Sequence, residues 1–153
     1  MAKDYDPPMH SAEHILNQTM VRMFACGRSI NAHIEKKKSR IDYRFRRNLS
    51  AEEIAEVERR VNDVIASDCR VTEEFLSRSE AERDFSLGRL PADAGETIRI
   101  IRIGEYDACP CSGPHVKSTS EIGEFSILST SFENDVLRLR FRLKSREDAA
   151  GKE

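Results

Sequence analysis

SRIDYRFRRNLSAEEIAEVERRVNDVIA, residues 39–66, contains a strand pattern followed directly by a helix pattern. Apolar and charged side chains alternate over 41–46, which is typical of a strand with one face in solvent. Ser50 and Glu53 then form a capping box, which predicts a helix over 51–66. The apolar positions of this helix that are predicted to face the core are Ile54, Val57, Val61, Val64 and Ile65.

The sequence on either side of this segment repeats the two patterns. Apolar residues recur with helical period from Leu16 to Phe24, which predicts a first helix over 9–26 that ends at Gly27. Ser77 begins a second capping box. The remaining predicted elements are strands over 28–35, 39–47, 70–76, 97–103, 125–131 and 136–143, a short helix that follows Ser77 and ends by Gly88, and loops over 36–38, 88–96 and 104–114.

This order of elements, α-β-β-α-β-α-β-β-β, predicts an α+β fold. We expect two layers, with a largely antiparallel sheet packed against two main helices and one short helix. A chain of 153 residues is long enough for one domain with a core of its own. We therefore expect a single domain over 1–144 and a polar, flexible tail over 145–153.

Composition excludes several classes of protein. Apolar runs stay well below the ~18 residues of a membrane span, and MAKDYDPP at the N-terminus has no apolar signal segment, so we expect a cytoplasmic protein without a membrane partner. The net charge of -2 gives no overall attraction to nucleic acid, and DNA is not an expected partner. In a reducing compartment the four cysteines are expected to be buried thiols or metal ligands: Cys26, Cys69, Cys109 and Cys111.

Two short motifs contain three of the four histidines of the chain. His10 and His14 lie four residues apart on the predicted first helix, so their side chains project from one face. Cys111 and His115 repeat this spacing near the later loop. Three imidazoles and a thiolate are a ligand set that suits tetrahedral zinc. Each motif also occurs without a metal, so the residues alone leave both possibilities open.

The same motifs carry a resemblance to a known family. HSAEHIL at 10–16 and CSGPHVKSTSEIGEF at 111–125 resemble the paired HxxxH and CxxxH motifs of the editing domain (second additional domain) shared by alanyl- and threonyl-tRNA synthetases. This domain also occurs in freestanding AlaX-type trans-editing deacylases. RIDYRF at 40–45 and SAEEIAEVERRVNDVI at 50–65 resemble its second strand and capped helix. The likeness spans about 9–143.

The resemblance implies zinc-dependent hydrolysis of mischarged aminoacyl-tRNA. It implies that the catalytic and metal-binding residues are His10, His14, Cys111 and His115. Zinc could activate water and polarise the ester carbonyl, or it could orient the substrate only. Four protein ligands are instead typical of a structural zinc. The residues leave these roles open.

The motifs lie between the two subfamilies. Alanyl-type domains usually have CGGTH where this chain has CSGPH, and threonyl-type domains have an acid where Cys109 stands. The nearest acid is Asp107, and the position of an alanyl-type glutamine falls near Ser29 and Asn31. These four residues are the expected substrate-binding residues. We expect removal of Ser or Gly from tRNA(Ala). The alternatives are removal of Ser from tRNA(Thr), a non-catalytic zinc-containing tRNA-binding module, and a metal-dependent hydrolase of a small ester.

A cluster of cations is the candidate contact with tRNA. Seven positive side chains fall within 36–47 and could neutralise RNA phosphates. The alternative is a solvated hairpin with its cations in water. Arg138, Arg140 and Arg142 form a second candidate on the last strand, where a solvated strand face is the simpler interpretation. The expected RNA-binding residues are Lys36, Lys37, Lys38, Arg40, Arg44, Arg46 and Arg47.

Overall fold

The computed structural model describes residues 6–85 and 95–144, and it confirms the α+β fold class. None of the described helices is long and apolar enough to cross a membrane. The helices are α1 (Pro7–Phe24), α2 (Ala51–Ala66), α3 (Arg78–Asp84) and a short 3₁₀ turn (Thr119–Glu121). The strands are β1 (Asn31–His33), β2 (Ser39–Arg44), β3 (Val71–Ser77), β4 (Thr97–Ile103), β5 (Asp107–Pro110), β6 (Glu124–Glu133) and β7 (Val136–Lys144).

The strands form two antiparallel sheets where the sequence suggested one. The four-stranded sheet has the order β1-β2-β7-β6, and the three-stranded sheet has the order β3-β4-β5. The predicted loop 104–114 contains β5, which was missed. Gly104, at φ 51, provides a tight turn with the left-handed conformation that glycine tolerates. This turn folds β5 back onto β4 with Ile103 opposite Asp107.

Helix α1 begins and ends two residues earlier than predicted. Asp6 accepts a hydrogen bond from the Met9 N–H (3.3 Å), and Pro7 and Pro8 lie in the first turn of the helix. The predicted end of this helix at Gly27 was wrong. Ala25 adopts the left-handed conformation at φ 54 and donates its N–H to the Val21 carbonyl, which closes the helix.

Both predicted capping boxes are present. Ser50 and Glu53 exchange hydrogen bonds at the start of α2, and Ser77 does the same with Glu80 at the start of α3. The 88–94 part of the loop predicted after α3 lies outside the described residues, and so does the tail over 145–153.

One main core joins α1 and α2 to the four-stranded sheet, and a small cluster packs α3 onto the other sheet. Tyr43, Phe125 and Phe141 are the largest fully buried side chains of the main core. Ile98 and Ile100 form the small cluster with Ala81 of α3. Helix α1 also contacts β5, the strand that leads to Cys111.

Candidate metal centre

The structure brings the two predicted ligand pairs together. His10 and His14 come from α1, and Cys111 and His115 come from the segment after β5. One potential ligand atom from each residue lies within 4.8 Å of all the others, and the four residues could hold a metal ion. We call these four side chains the ligand cluster.

Hydrogen bonds orient two of the imidazoles. His10 Nδ1 donates to the Pro114 carbonyl (2.9 Å), so its Nε2 carries a lone pair and lies 3.4 Å from Cys111 Sγ. His115 Nδ1 lies 2.9 Å from Ser11 Oγ, which also accepts the Val116 N–H (3.2 Å). When His115 Nδ1 donates to Ser11, its Nε2 is left as a lone-pair donor atom.

The donor atoms fit a zinc ion. His115 Nε2 is buried and has no hydrogen-bond partner among residues 6–85 and 95–144, so a bound cation would satisfy it. The three imidazole rings pack around one point, with centroids 4.2 to 5.1 Å apart. Imidazole nitrogen and thiolate sulfur are both zinc ligands, and four of them suit tetrahedral coordination.

The cluster also favours the thiolate that zinc requires. Burial raises the pKa of Cys111, but its polar contacts with the His10, His115 and His14 imidazoles outweigh burial and lower the pKa to about 3. Burial lowers the pKa of His14, and its contacts with Asp107 and Cys111 more than reverse this, to about 9. Burial lowers the pKa of His115 to about 4, which favours the neutral imidazole.

The four members of the cluster differ in exposure. His10 and His14 are only 3% and 4% exposed, whereas Cys111 and His115 are half-buried. The partly exposed members of the cluster are therefore the two on the segment after β5.

Two of the four expected substrate-binding residues lie near the cluster. Asp107 is buried and bonded to Arg28 and Gln18, so its carboxylate is occupied by protein groups. Cys109 lies outside the ligand cluster, and burial raises its pKa to about 12, which keeps the thiol protonated. The substrate-binding roles of both residues stay predictions.

The other two expected substrate-binding residues lie around β1. Ser29 is buried, and its N–H donates to Asn17 Oδ1 (2.9 Å). Asn31 is exposed on β1, and its amide contacts Asp42 Oδ2 (3.5 Å). Their roles in substrate binding also stay predictions.

Glu13 is a further candidate functional residue, which the sequence analysis did not identify. Its Oε1 lies 3.7 Å from His10 Nε2, and the residue is 9% exposed. The signal was present in HSAEH at 10–14, where an acid precedes the second histidine. The motif was interpreted through its two histidines only, so the acid between them was not considered.

The seven predicted RNA-binding cations do not form a single patch. Lys36, Lys37 and Lys38 are exposed in the turn between β1 and β2, whereas Arg46 and Arg47 follow the far end of β2. A cleft of about 550 Å³ near this far end is lined by the C-terminal end of α1 and by Arg44, Phe45, Arg46, Arg47 and Glu53.

The cations also differ in their partners. Arg47 pairs with Glu53 (2.7 Å), and the other six form no ion pair within the described ranges 6–85 and 95–144. Arg40 and Arg44 lie on the outer face of the four-stranded sheet. This face was expected to lie in solvent. Asp42 on this face is nevertheless buried, and its carboxylate accepts two hydrogen bonds from Arg138 (2.8 and 3.1 Å).

Comparison with known proteins identifies related sequences. The model of the family described as "Threonyl and Alanyl tRNA synthetase second additional domain" matches residues 98–139. An alanine–tRNA ligase of Methanococcus maripaludis is 31% identical over 141 residues, which cover 86% of this chain and 15% of the ligase. A ligase of the same name from Natronomonas pharaonis is 35% identical over 138 residues, with 86% and 14% covered.

A third alanine–tRNA ligase, from Neisseria meningitidis, is 31% identical over 127 residues, which cover 78% of this chain and 14% of that protein. The chain thus spans about 15% of the length of the curated relatives that it matches. The matched family segment contains Cys111 and His115, one of the two pairs that form the ligand cluster. The chain therefore belongs to the family of the threonyl and alanyl tRNA synthetase second additional domain, the editing-domain family.

Proposed function

We propose that this chain hydrolyses the ester bond of mischarged aminoacyl-tRNA with a zinc ion bound by His10, His14, Cys111 and His115. The observation that carries the proposal is the convergence of these four donor atoms within 4.8 Å, in a chain of an editing-domain family. The half-buried Cys111 and His115 support access by a substrate from solvent.

The side chains around the cluster have distinct tasks in this proposal. The ligand cluster binds the ion, and Pro114 and Ser11 keep two of the imidazoles in the required tautomer. When bound, the ion supplies Lewis acidity toward the ester carbonyl and an attacking water. The Glu13 carboxylate, 3.7 Å from His10 Nε2, accepts the proton that water loses on attack.

The proposed substrate is Ser or Gly esterified to tRNA(Ala). The three related proteins described above are all alanine–tRNA ligases, which favours alanine identity. Ser on tRNA(Thr) is the variant favoured by the Gly-Pro-His of 113–115, which resembles the threonyl type. In keeping with the resemblance to freestanding deacylases, the chain acts in trans on charged tRNA in the cytoplasm.

A non-catalytic zinc-containing tRNA-binding module is the second candidate. It is favoured by the number of protein donors, because four protein ligands leave no open position on a tetrahedral zinc. For catalysis, one ligand must be displaced or the substrate must add to the coordination shell.

The deciding experiment measures deacylation of Ser-tRNA of alanine identity and of threonine identity. We expect hydrolysis that is lost with a chelator and restored by added zinc, faster with the alanine identity. His10→Ala should lose bound zinc and hydrolysis while it keeps its circular dichroism spectrum. Zinc binding without hydrolysis of either substrate would refute the enzyme and favour the binding module. Global unfolding of His10→Ala would indicate a structural zinc, which is worth on the order of 10 kcal/mol in small domains.

A further inference from the structure

Asp107 lies at the start of β5 and is held from two directions. Its side chain is 0% exposed. Arg28 donates Nη1 to Oδ1 (2.8 Å) and Nη2 to Oδ2 (3.3 Å), and Gln18 donates Nε2 to Oδ1 (3.0 Å). Because these donors come from α1 and from the segment before β1, the carboxylate has little freedom to rotate.

The carboxylate faces one member of the ligand cluster. His14 Nδ1 lies 3.5 Å from Asp107 Oδ2 and has no hydrogen-bond partner in the described ranges 6–85 and 95–144. This distance is an ion-pair contact slightly longer than a hydrogen bond. With Nδ1 on the side of the carboxylate, the opposite nitrogen, Nε2, faces the other three donors.

We infer that Asp107, fixed by Arg28 and Gln18, is a positioning residue that orients His14 for metal binding. A carboxylate behind a liganding imidazole fixes the ring and its tautomer and makes its free nitrogen a better donor. The Pro114 carbonyl and the Ser11 hydroxyl lie behind the His10 and His115 rings, whereas the group behind the His14 ring is the Asp107 carboxylate. The inference rests on the zinc site of the proposed function and assigns Asp107 to that site in place of the substrate contact.

The test measures the zinc affinity of the purified chain by competition with a chromophoric chelator. Asp107→Ala should weaken zinc binding by about 10–100-fold, the usual loss for such a partner. Asp107→Asn should lose less, because its amide oxygen still accepts the His14 Nδ1–H. With cobalt at saturating concentration, the visible spectrum of Asp107→Ala should differ from that of the unchanged chain, because His14 is no longer held.

Asp42→Ala is the matched control. Asp42 is also buried, at 4% exposure, and its carboxylate accepts two hydrogen bonds from one arginine, Arg138, on the four-stranded sheet. Its loss should lower stability as the loss of Asp107 does, but leave zinc affinity and the cobalt spectrum unchanged.

Unchanged zinc affinity in Asp107→Ala would overturn the inference. An equal loss of affinity in Asp42→Ala would overturn it too, because the effect would then follow from general destabilisation. The measurement needs no aminoacyl-tRNA. A chain whose zinc affinity depends on Asp107 as expected, but which hydrolyses nothing, would therefore end the proposed function and leave this inference standing.

Discussion

Glu13 and His10 lie on the same turn of α1, and their separation decides what Glu13 can do. The carboxylate is 3.7 Å from a nitrogen of the ligand cluster but does not belong to the cluster itself. We expect Glu13→Gln to lower the rate of deacylation by about 10²–10⁴-fold, the usual contribution of a general base, with zinc content unchanged. Kinetics and metal analysis on the same preparation check this. Full activity in Glu13→Gln would remove Glu13 from the mechanism.

The two cysteines near the site provide a second test at the scale of single residues. The lowered pKa of Cys111 favours its thiolate form, whereas burial raises the pKa of Cys109 to about 12. Because the thiolate is the form that binds metal, Cys111→Ser should lose zinc and hydrolysis. Cys109→Ser should keep about one zinc per chain, measured by atomic absorption. Zinc loss in Cys109→Ser would indicate that Cys109 is a zinc ligand.

At the scale of single elements, the start of α2 should make stability depend on pH. Hydrogen bonds from Arg47 and then from the Ser50 N–H lower the pKa of Glu53 from 4.5 to about 2. Because the folded-state pKa is depressed, the carboxylate stabilises the fold above about pH 4.5. This contribution is lost as the pH falls toward 2. Glu53→Gln should therefore be less stable than the unchanged chain near neutral pH, and the difference should shrink in acid.

Urea unfolding of both proteins across this pH range measures the difference. Glu80→Gln, at the start of α3, is the control, because Glu80 accepts the same type of capping hydrogen bond from Ser77, while Arg83 is the smallest of the effects that lower its pKa. Its pH dependence should be smaller. A difference for Glu53→Gln that stays constant with pH would contradict the electrostatic origin of the effect.

At the scale of the whole molecule, the sheet register brings cations from distant segments onto one outer face. Arg40 of β2 lies directly opposite Arg140 of β7. The nearby Asp42 carboxylate already accepts a hydrogen bond from Arg138. Like charges opposite one another destabilise a sheet, so Arg140→Gln should raise the free energy of unfolding by about 0.2–1 kcal/mol. If this face contacts tRNA phosphates, the same substitution should weaken tRNA binding and lower its salt dependence.

Filter binding at several salt concentrations and urea unfolding give the two readouts. Arg59→Gln is the control, because Arg59 is already paired with Glu56 and Asp63 on α2. It should change tRNA binding little. Unchanged binding in Arg140→Gln, together with a loss in Lys37→Glu, would assign tRNA contact to the turn between β1 and β2 instead.

The sequence alone determined the elements whose signals are local. The capping boxes at Ser50 and Ser77 and the alternation along β2 each depend on neighbouring residues, so they predict the helix starts and the strand without reference to the rest of the chain. The histidine pair of α1 is local in the same sense, since four residues are about one helical turn.

Tertiary structure decided the features that depend on contacts between distant segments. Strand β5 exists because residues 107–110 pair with β4, and the separation into two sheets follows from where each strand finds its partner. The ligand cluster depends on α1 packing beside β5, which brings His10 and Cys111 together across 101 positions of sequence. Asp107 gained its partners in the same way. Such contacts form only when the whole core packs, so the spacing of residues along the chain does not by itself predict them.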